Sequence, residues 1–332
     1  MMTRQTPNPP FISVVAPCYN EESIVQTFVE QVRHVLTSLR PQVLYELVLV
    51  NDGSTDGTEQ RLDAIAASSG GTIRVIHLCR NFGHGSAISA GLDHARGDVV
   101  ILMDSDLQDD PSAFPTFLEK WQEGNDVVYA VRTSRKELLP VRFATAVFYR
   151  LLRMISDTPI PRDAGTFSLM DRRLVDVLRA MPERNRFLPG LRAWAGFRQT
   201  GVEVPRRARH DRRSRVGLRG LWKLSMNAIF SFSYFPIFIL RAVGALSLLF
   251  CFALIVFVLY HKIFTGKAIT AWASQMFSIL FFGGINLFGI GVIGEYVARI
   301  YDELKARPAY VVDRITESAP TAEFPPQRSG PA

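Results

Sequence analysis

Asp104, Asp106 and Gln108 occupy alternate positions in the stretch DSDLQD, directly after the apolar run Asp98–Met103. Two carboxylates one residue apart at the end of a buried strand suit a hard divalent cation such as Mg²⁺ or Mn²⁺. Such an ion takes oxygen ligands and shares its remaining positions with substrate phosphates. The same chain carries two long uncharged apolar segments near its C-terminus. A metal-diphosphate site on a membrane-anchored chain points to a water-soluble donor and a lipid acceptor.

The elements that must position these residues follow from the patterning. Phe11–Ala16, Leu44–Val50, Thr72–Leu78, Asp98–Met103 and Asp126–Val131 are short apolar, β-branched runs. Between them lie helical patterns at Glu22–Leu39, Asp56–Ala67 and Ser86–Ala95, and Pro111 suits the first turn of another helix. This alternation predicts an α/β domain with a mostly parallel sheet covered by helices. Ligands of open α/β sheets lie beyond the carboxyl ends of the strands. Three polar clusters fall there: Pro17–Glu21, Asn51–Ser54 and Asp104–Asp106. They are expected to converge on one edge of the sheet.

The net charge of +7 is unevenly distributed. Residues 1–131 carry a net −9, residues 132–223 a net +14 and the remainder a net +2. The basic block calls for phosphates or an acidic membrane surface. No recognised nucleic-acid module accompanies it, so no nucleic-acid partner is expected. Ala242–Tyr260 and Ala268–Gly294 contain no charged residue, and each approaches or exceeds the length of a bilayer-spanning helix. Only His261–Lys267 separates them, which predicts a helical hairpin with both ends on one side. No signal-peptide pattern precedes residue 11, which keeps the large domain in the cytosol. Cys18, Cys79 and Cys251 suggest neither a disulfide framework nor a zinc site. Asn81–Ser86 lacks the full GxGxxG of a dinucleotide loop, and His84 reads as a loop or helix-start residue.

Several clusters then match one family in order and spacing. They are Ala16–Glu21, Asn51–Asp56, Arg80–Gly83, Asp104–Asp109, Pro182–Phe187 with Trp194–Phe197, and Gly294–Tyr296 with Arg307-Pro308. Over residues 11 to about 312 the chain resembles the inverting family 2 glycosyltransferases, in the polyprenyl-phosphate subgroup that includes bactoprenol glucosyltransferases and dolichyl-phosphate mannose synthases. The resemblance implies a glycosyltransferase A-type domain, with Pro17, Tyr19 and Glu21 lining the base and ribose. Asp52 would accept a hydrogen bond from uracil. Asp104, Asp106 and Gln108 would hold Mg²⁺ or Mn²⁺ and the donor diphosphate, and Arg132 would contact phosphate. Arg209, Ser214 and Arg215 match an acceptor and phosphate loop, in which Arg212 replaces the usual Gly. Asp163 and Thr166 fall in the same acceptor region, with Thr166 where many relatives carry Asp. A phosphate monoester is mainly a dianion at cytosolic pH, so the missing carboxylate is not needed to deprotonate it. Asp56 reads as a helix N-cap in preference to a ligand.

The expected activity is transfer of a hexose, glucose from UDP-glucose, to polyprenyl phosphate at the cytosolic face of the cytoplasmic membrane. Mannose, GlcNAc or a modified pentose are the alternative sugars. A processive polysaccharide synthase would carry QxxRW, which Arg192-Ala193-Trp194 does not match, and a silent scaffold would not need the paired aspartates. Family analogy adds a downstream flippase and a second glycosyltransferase. The organisation expected is a flexible 1–10 and a catalytic domain over 11–217. That domain contains an amphipathic helix at 139–155, either interfacial or an ordinary surface helix. An interfacial lead-in at 218–236 precedes membrane helices at 237–260 and 268–298. A cytosolic tail fills 299–332, disordered from about 318. Gly284, Gly291 and Ala298 form a smooth seven-residue repeat that would pack either the hairpin or a homo-oligomer.

Overall fold

The computed structural model describes residues 9–132, 164–183, 186–205, 235–260, 263–264 and 272–319. Asp163, Arg209, Ser214 and Arg215 lie outside them, as do the 139–155 helix and the 218–234 lead-in. The chain divides into two units: residues 1–153, 158–221 and 308–332 form one, and residues 154–157 and 222–307 the other.

The first unit is built on an eight-stranded sheet. Its strands are β1 (Ile12–Cys18), β2 (Tyr45–Asn51), β3 (Ile73–Leu78), β4 (Val99–Leu102), β5 (Val127–Arg132), β6 (Ala164–Asp171), β7 (Gln199–Val204) and β8 (Val312–Glu317). Their spatial order is β7-β5-β6-β4-β1-β2-β3-β8. The four central strands β4, β1, β2 and β3 are parallel, as the apolar runs predict. β1 and β4 are buried at every position, the signature of strands covered on both faces. β6 runs antiparallel to both β4 and β5, and β8 runs antiparallel to β3, so the sheet is mixed at its flanks.

Helices α1 (Val25–Ser38), α2 (Thr58–Ala67), α3 (His84–His94) and α4 (Phe114–Gln122) cross between these strands. α1 buries Val25, Phe28, Val29, Val32 and Leu36, one face of a helix. α3 buries Ala87, Ser89, Ala90 and Gly91 instead, and a Cβ at Gly91 would run into Val15. Small residues thus seat α3 directly on β1 and β2. Pro111 opens a short 3-10 turn that leads into α4, with the Asp110 carboxylate accepting from the Ser112 amide at 3.0 Å. Two further helices, α5 (Arg172–Ala180) and α6 (Leu188–Trp194), follow β6.

The second unit holds α7 (Phe235–Tyr260) and α8 (Trp272–Leu304). Both are long and apolar enough to cross a membrane: Pro236–Tyr260 has mean hydropathy 2.8 and Gln275–Leu304 has 2.1, with 0% and 6% of their most apolar windows buried. α8 runs six residues beyond the 298 expected for its end. A Cβ at Gly289 would sit 3.0 Å from Leu240, whereas one at Gly284 or Gly291 would meet nothing within 4 Å. The smooth repeat is therefore not where α7 packs.

The segment expected as a tail at 299–332 contains, before residue 318, the edge strand β8. Inward positions of β8 carry Val312, Arg314 and Thr316, while Ile315 faces out at 43% exposure. Arg314 grips Asp63 of α2 through both oxygens, at 3.0 and 2.8 Å, and Glu59 at 2.6 Å. Arg74 of β3 donates to Glu317 at 2.7 Å, and the Tyr310 hydroxyl to Asp93 of α3 at 2.7 Å. Polar clamps thus hold this strand, in place of an apolar face.

Candidate active site

The clusters at the carboxyl ends of β1, β2 and β4 meet as expected. The Asp52 amide donates to the Cys18 carbonyl at 2.9 Å, and the Ser105 hydroxyl to the Pro17 carbonyl at 2.8 Å. The Asn20 amide donates to the Ser54 hydroxyl at 3.0 Å, and the Thr55 amide to the Asn20 side-chain oxygen at 2.8 Å. The Glu21 amide donates to the Thr58 hydroxyl at 2.8 Å. Tyr19 is 36% exposed beside them, while Glu21 is 8% exposed. Cys18 is not a reactive thiol: burial pushes its pKa up to about 12.

Asp52 is buried and holds the loop after β3. Its carboxylate accepts from the amides of Phe82 at 2.7 Å and Gly83 at 3.0 Å. Burial raises its pKa, and those two bonds oppose the rise. Gly53 makes this closeness possible: it sits at φ +62, and a Cβ there would run into Arg80. Asp56 acts locally, its carboxylate accepting from the Thr58 amide at 3.0 Å and the Glu22 amide at 3.3 Å. The N-cap of α2 is Gly57, so Asp56 braces the first turn from one residue outside it.

Asp104 stands just beyond β4. One of its oxygens is 3.5 Å from the Thr166 hydroxyl. The other, Oδ1, is buried, accepts no hydrogen bond and lies 3.5 Å from His84 Nε2. Asp106 accepts from the Gln108 amide at 3.1 Å, and Leu107 between them takes a left-handed φ of 59. An orphaned carboxylate oxygen beside a second carboxylate is what a shared divalent cation requires. Among the described residues no group of three His, Cys, Asp or Glu could hold such an ion alone. The pair therefore fits an ion that completes its shell with phosphate and water.

Arg132 ends β5, paired in register with Val204. Arg192 is fully buried under β6, donating to the Gly165 carbonyl at 3.2 Å, and burial lowers its pKa to about 10. Two contacts were not read from sequence: His84 opens α3 against Asp104, and the Thr166 hydroxyl reaches the same carboxylate. The carboxyl-end rule covers His84 too, since its loop follows β3.

A model described as glycosyl transferase family 2 matches residues 13–179. The chain is 40% identical over 303 residues to the uncharacterized glycosyltransferase sll0501 of Synechocystis sp., covering 91% of this chain and 94% of that protein. It is 39% identical over 305 residues to the prophage bactoprenol glucosyl transferase homolog of Escherichia coli (strain K12), covering 92% and 99%. Among solved structures it is similar to glucosyl-3-phosphoglycerate synthase from Mycobacterium tuberculosis, with a TM-score of 0.46, 22% identity and coverage of 66% and 77%. With a mixed sheet of this order and paired aspartates at the end of its fourth strand, the chain belongs to glycosyltransferase family 2 and is a glycosyltransferase.

Proposed function

We propose that the enzyme transfers glucose from UDP-glucose to a polyprenyl phosphate, with inversion, at the cytosolic face of the membrane. The observation that carries this reading is the near-complete coverage of the bactoprenol glucosyl transferase homolog by a chain that carries Asp104 and Asp106. Two helices long and apolar enough to cross a bilayer support a lipid acceptor.

On this reading Tyr19 and Glu21 flank the base and ribose, and Pro17 and Asp52 form the floor beneath them. A divalent cation held by Asp104, Asp106 and Gln108 would neutralise charge on the departing diphosphate. Arg209, Ser214 and Arg215 would hold phosphate on the acceptor side, the family resemblance assigns Asp163 and Thr166 to the same acceptor region, and Arg132 would serve phosphate from the end of β5. Guanidinium forks suit phosphate oxygens. An acceptor phosphate oxygen attacks the anomeric carbon. The new C–O bond forms as the bond to the UDP β-phosphate oxygen breaks, and UDP leaves with the electron pair. No base is needed, because the acceptor is already an anion. Thr166 instead orients Asp104 through its hydroxyl.

The test is a donor panel of UDP- and GDP-sugars with purified enzyme and a short-chain polyprenyl phosphate. UDP release from UDP-glucose that depends on the lipid, with a glucosylated lipid product, is expected. Turnover with a different sugar alone would replace the donor, and lipid-independent release would remove the acceptor.

A further inference from the structure

We infer that His77 is a positioning residue for the donor nucleotide, linking β8 through Asn51 to the loops after β1 and β2. The inference rests on the nucleotide-sugar reading above. His77 lies on β3, 2% exposed, and touches no residue assigned to the substrate. Its hydrogen bonds nevertheless fix one arrangement. Asn51 accepts the Ser54 amide on Oδ1 at 3.1 Å, so its Nδ2 is the end that faces His77 Nδ1 at 3.2 Å. His77 Nδ1 must therefore be the acceptor, and the ring proton sits on Nε2, which donates to Asp63 Oδ1 at 3.0 Å. Asp63 is the carboxylate that Arg314 of β8 grips with two bonds.

Beyond Asn51 the chain of bonds continues. Ser54 receives the Asn20 amide, and Asn20 holds a left-handed φ of 54 between Tyr19 and Glu21. Asparagine tolerates the left-handed region, and the bonds to Ser54 and Thr55 fix it there. The groups facing the imidazole are Asp63 and Glu59 from α2, Arg314 and Thr316 from β8, and Asn51 from β2. Burial, then Arg314, hold its pKa below the ordinary value, which keeps the ring neutral and in the single tautomer described.

An apolar residue could fill the same volume, but it could not orient Asn51. That difference defines the experiment, on the full detergent-purified chain with Mn²⁺. His77→Asn places an acceptor where Nδ1 was and loses the Asp63 arm. His77→Gln places a donor where Nε2 was and loses the Asn51 arm. Expected for His77→Gln is an increase of about 5- to 20-fold in the UDP Kd and donor KM, of the order one lost buried hydrogen bond produces. Its kcat at saturating donor should stay within about threefold, and His77→Asn, which keeps the acceptor for Asn51 but loses the arm to β8, should lose clearly less affinity than His77→Gln. Arg314→Met should raise amide exchange over residues 18–22 and 51–55, which reads the same relay even if His77→Gln does not fold. Equal losses in both His77 variants that track Tm, wild-type affinity in His77→Gln, or unchanged exchange in Arg314→Met would each overturn the inference. Failure of wild type to bind UDP would instead sink the donor assignment.

Discussion

Asp104 offers a buried oxygen that accepts no hydrogen bond, and Asp106 is two residues away on a left-handed turn. On the proposed mechanism, Asp104→Ala or Asp106→Ala should each cost about 100- to 1000-fold in turnover, the usual loss when one element stabilising a leaving group is removed. Mn²⁺ affinity, read by spin resonance, should fall with it. Near-normal rates in either variant, or in wild type under excess chelator, would mean the diphosphate is held otherwise. Thr166 touches Asp104 only through a 3.5 Å hydroxyl contact. Thr166→Ala should therefore slow lipid-linked sugar formation by no more than about tenfold, or ~1.4 kcal/mol of barrier. Arg215→Ala should hurt more than Arg215→Lys, which keeps the charge. Initial rates across pH 6 to 8.5 decide: collapse in Thr166→Ala with Arg215→Ala unaffected would contradict this acceptor site. At this scale the sequence was informative where a residue type was its own signal, as with the aspartate pair. It was silent on His84 and Thr166 against Asp104, because those contacts join residues from separate strands.

Elements were legible in proportion to how far burial alone specified them. β1 to β4 are apolar runs, and their order along the chain announces a parallel sheet. α1 begins at Val25, three residues later than its periodicity suggests, because Glu21 to Ile24 form a turn and Glu22 reaches across to the Gly57 amide at 3.1 Å. β8 escaped because two of its three inward positions, Arg314 and Thr316, are polar and one outward position is Ile315, which breaks the usual apolar-in pattern. The clamp under β8 also carries a pH signature. His77 binds its proton less readily folded than its ordinary 6.5, so its contribution to stability is complete above that pH. It is lost as the pH falls from there through the lower folded value, since the unfolded chain then binds more protons. Thermal melts of the purified chain between pH 7.5 and 5.5 should show Tm falling with acidity, and His77→Asn should remove that component. A Tm slope unchanged in the variant would assign the pH dependence to other groups.

Across the whole molecule, the chain leaves the sheet unit before α7 and re-enters it as β8 after α8. Arg299, Lys305 and Arg307 flank the end of α8, and the arginine-rich block precedes α7; Lys262 and Lys267 in the connecting loop are outnumbered. The bias of basic residues to the cytosol then predicts a cytosolic sheet unit and an external 261–267 loop. A cysteine introduced in that loop should react with an impermeant thiol reagent on intact cells, and labelling only after lysis would reverse the orientation. The position of β8 has a further effect on biogenesis. Its bond from Arg74 to Glu317 spans 243 residues of chain, so the sheet cannot be completed until residues 312–317 have been made. Until they emerge, β3 is an open strand edge, the kind of surface that recruits other chains. The membrane hairpin is synthesised before that edge is closed, and through Asp63, His77 and Asn51 the donor loops receive their final support only then. A chain stalled or cut before residue 312 should thus be both aggregation-prone and weak for its nucleotide, which ties competence to bind the donor to the arrival of β8.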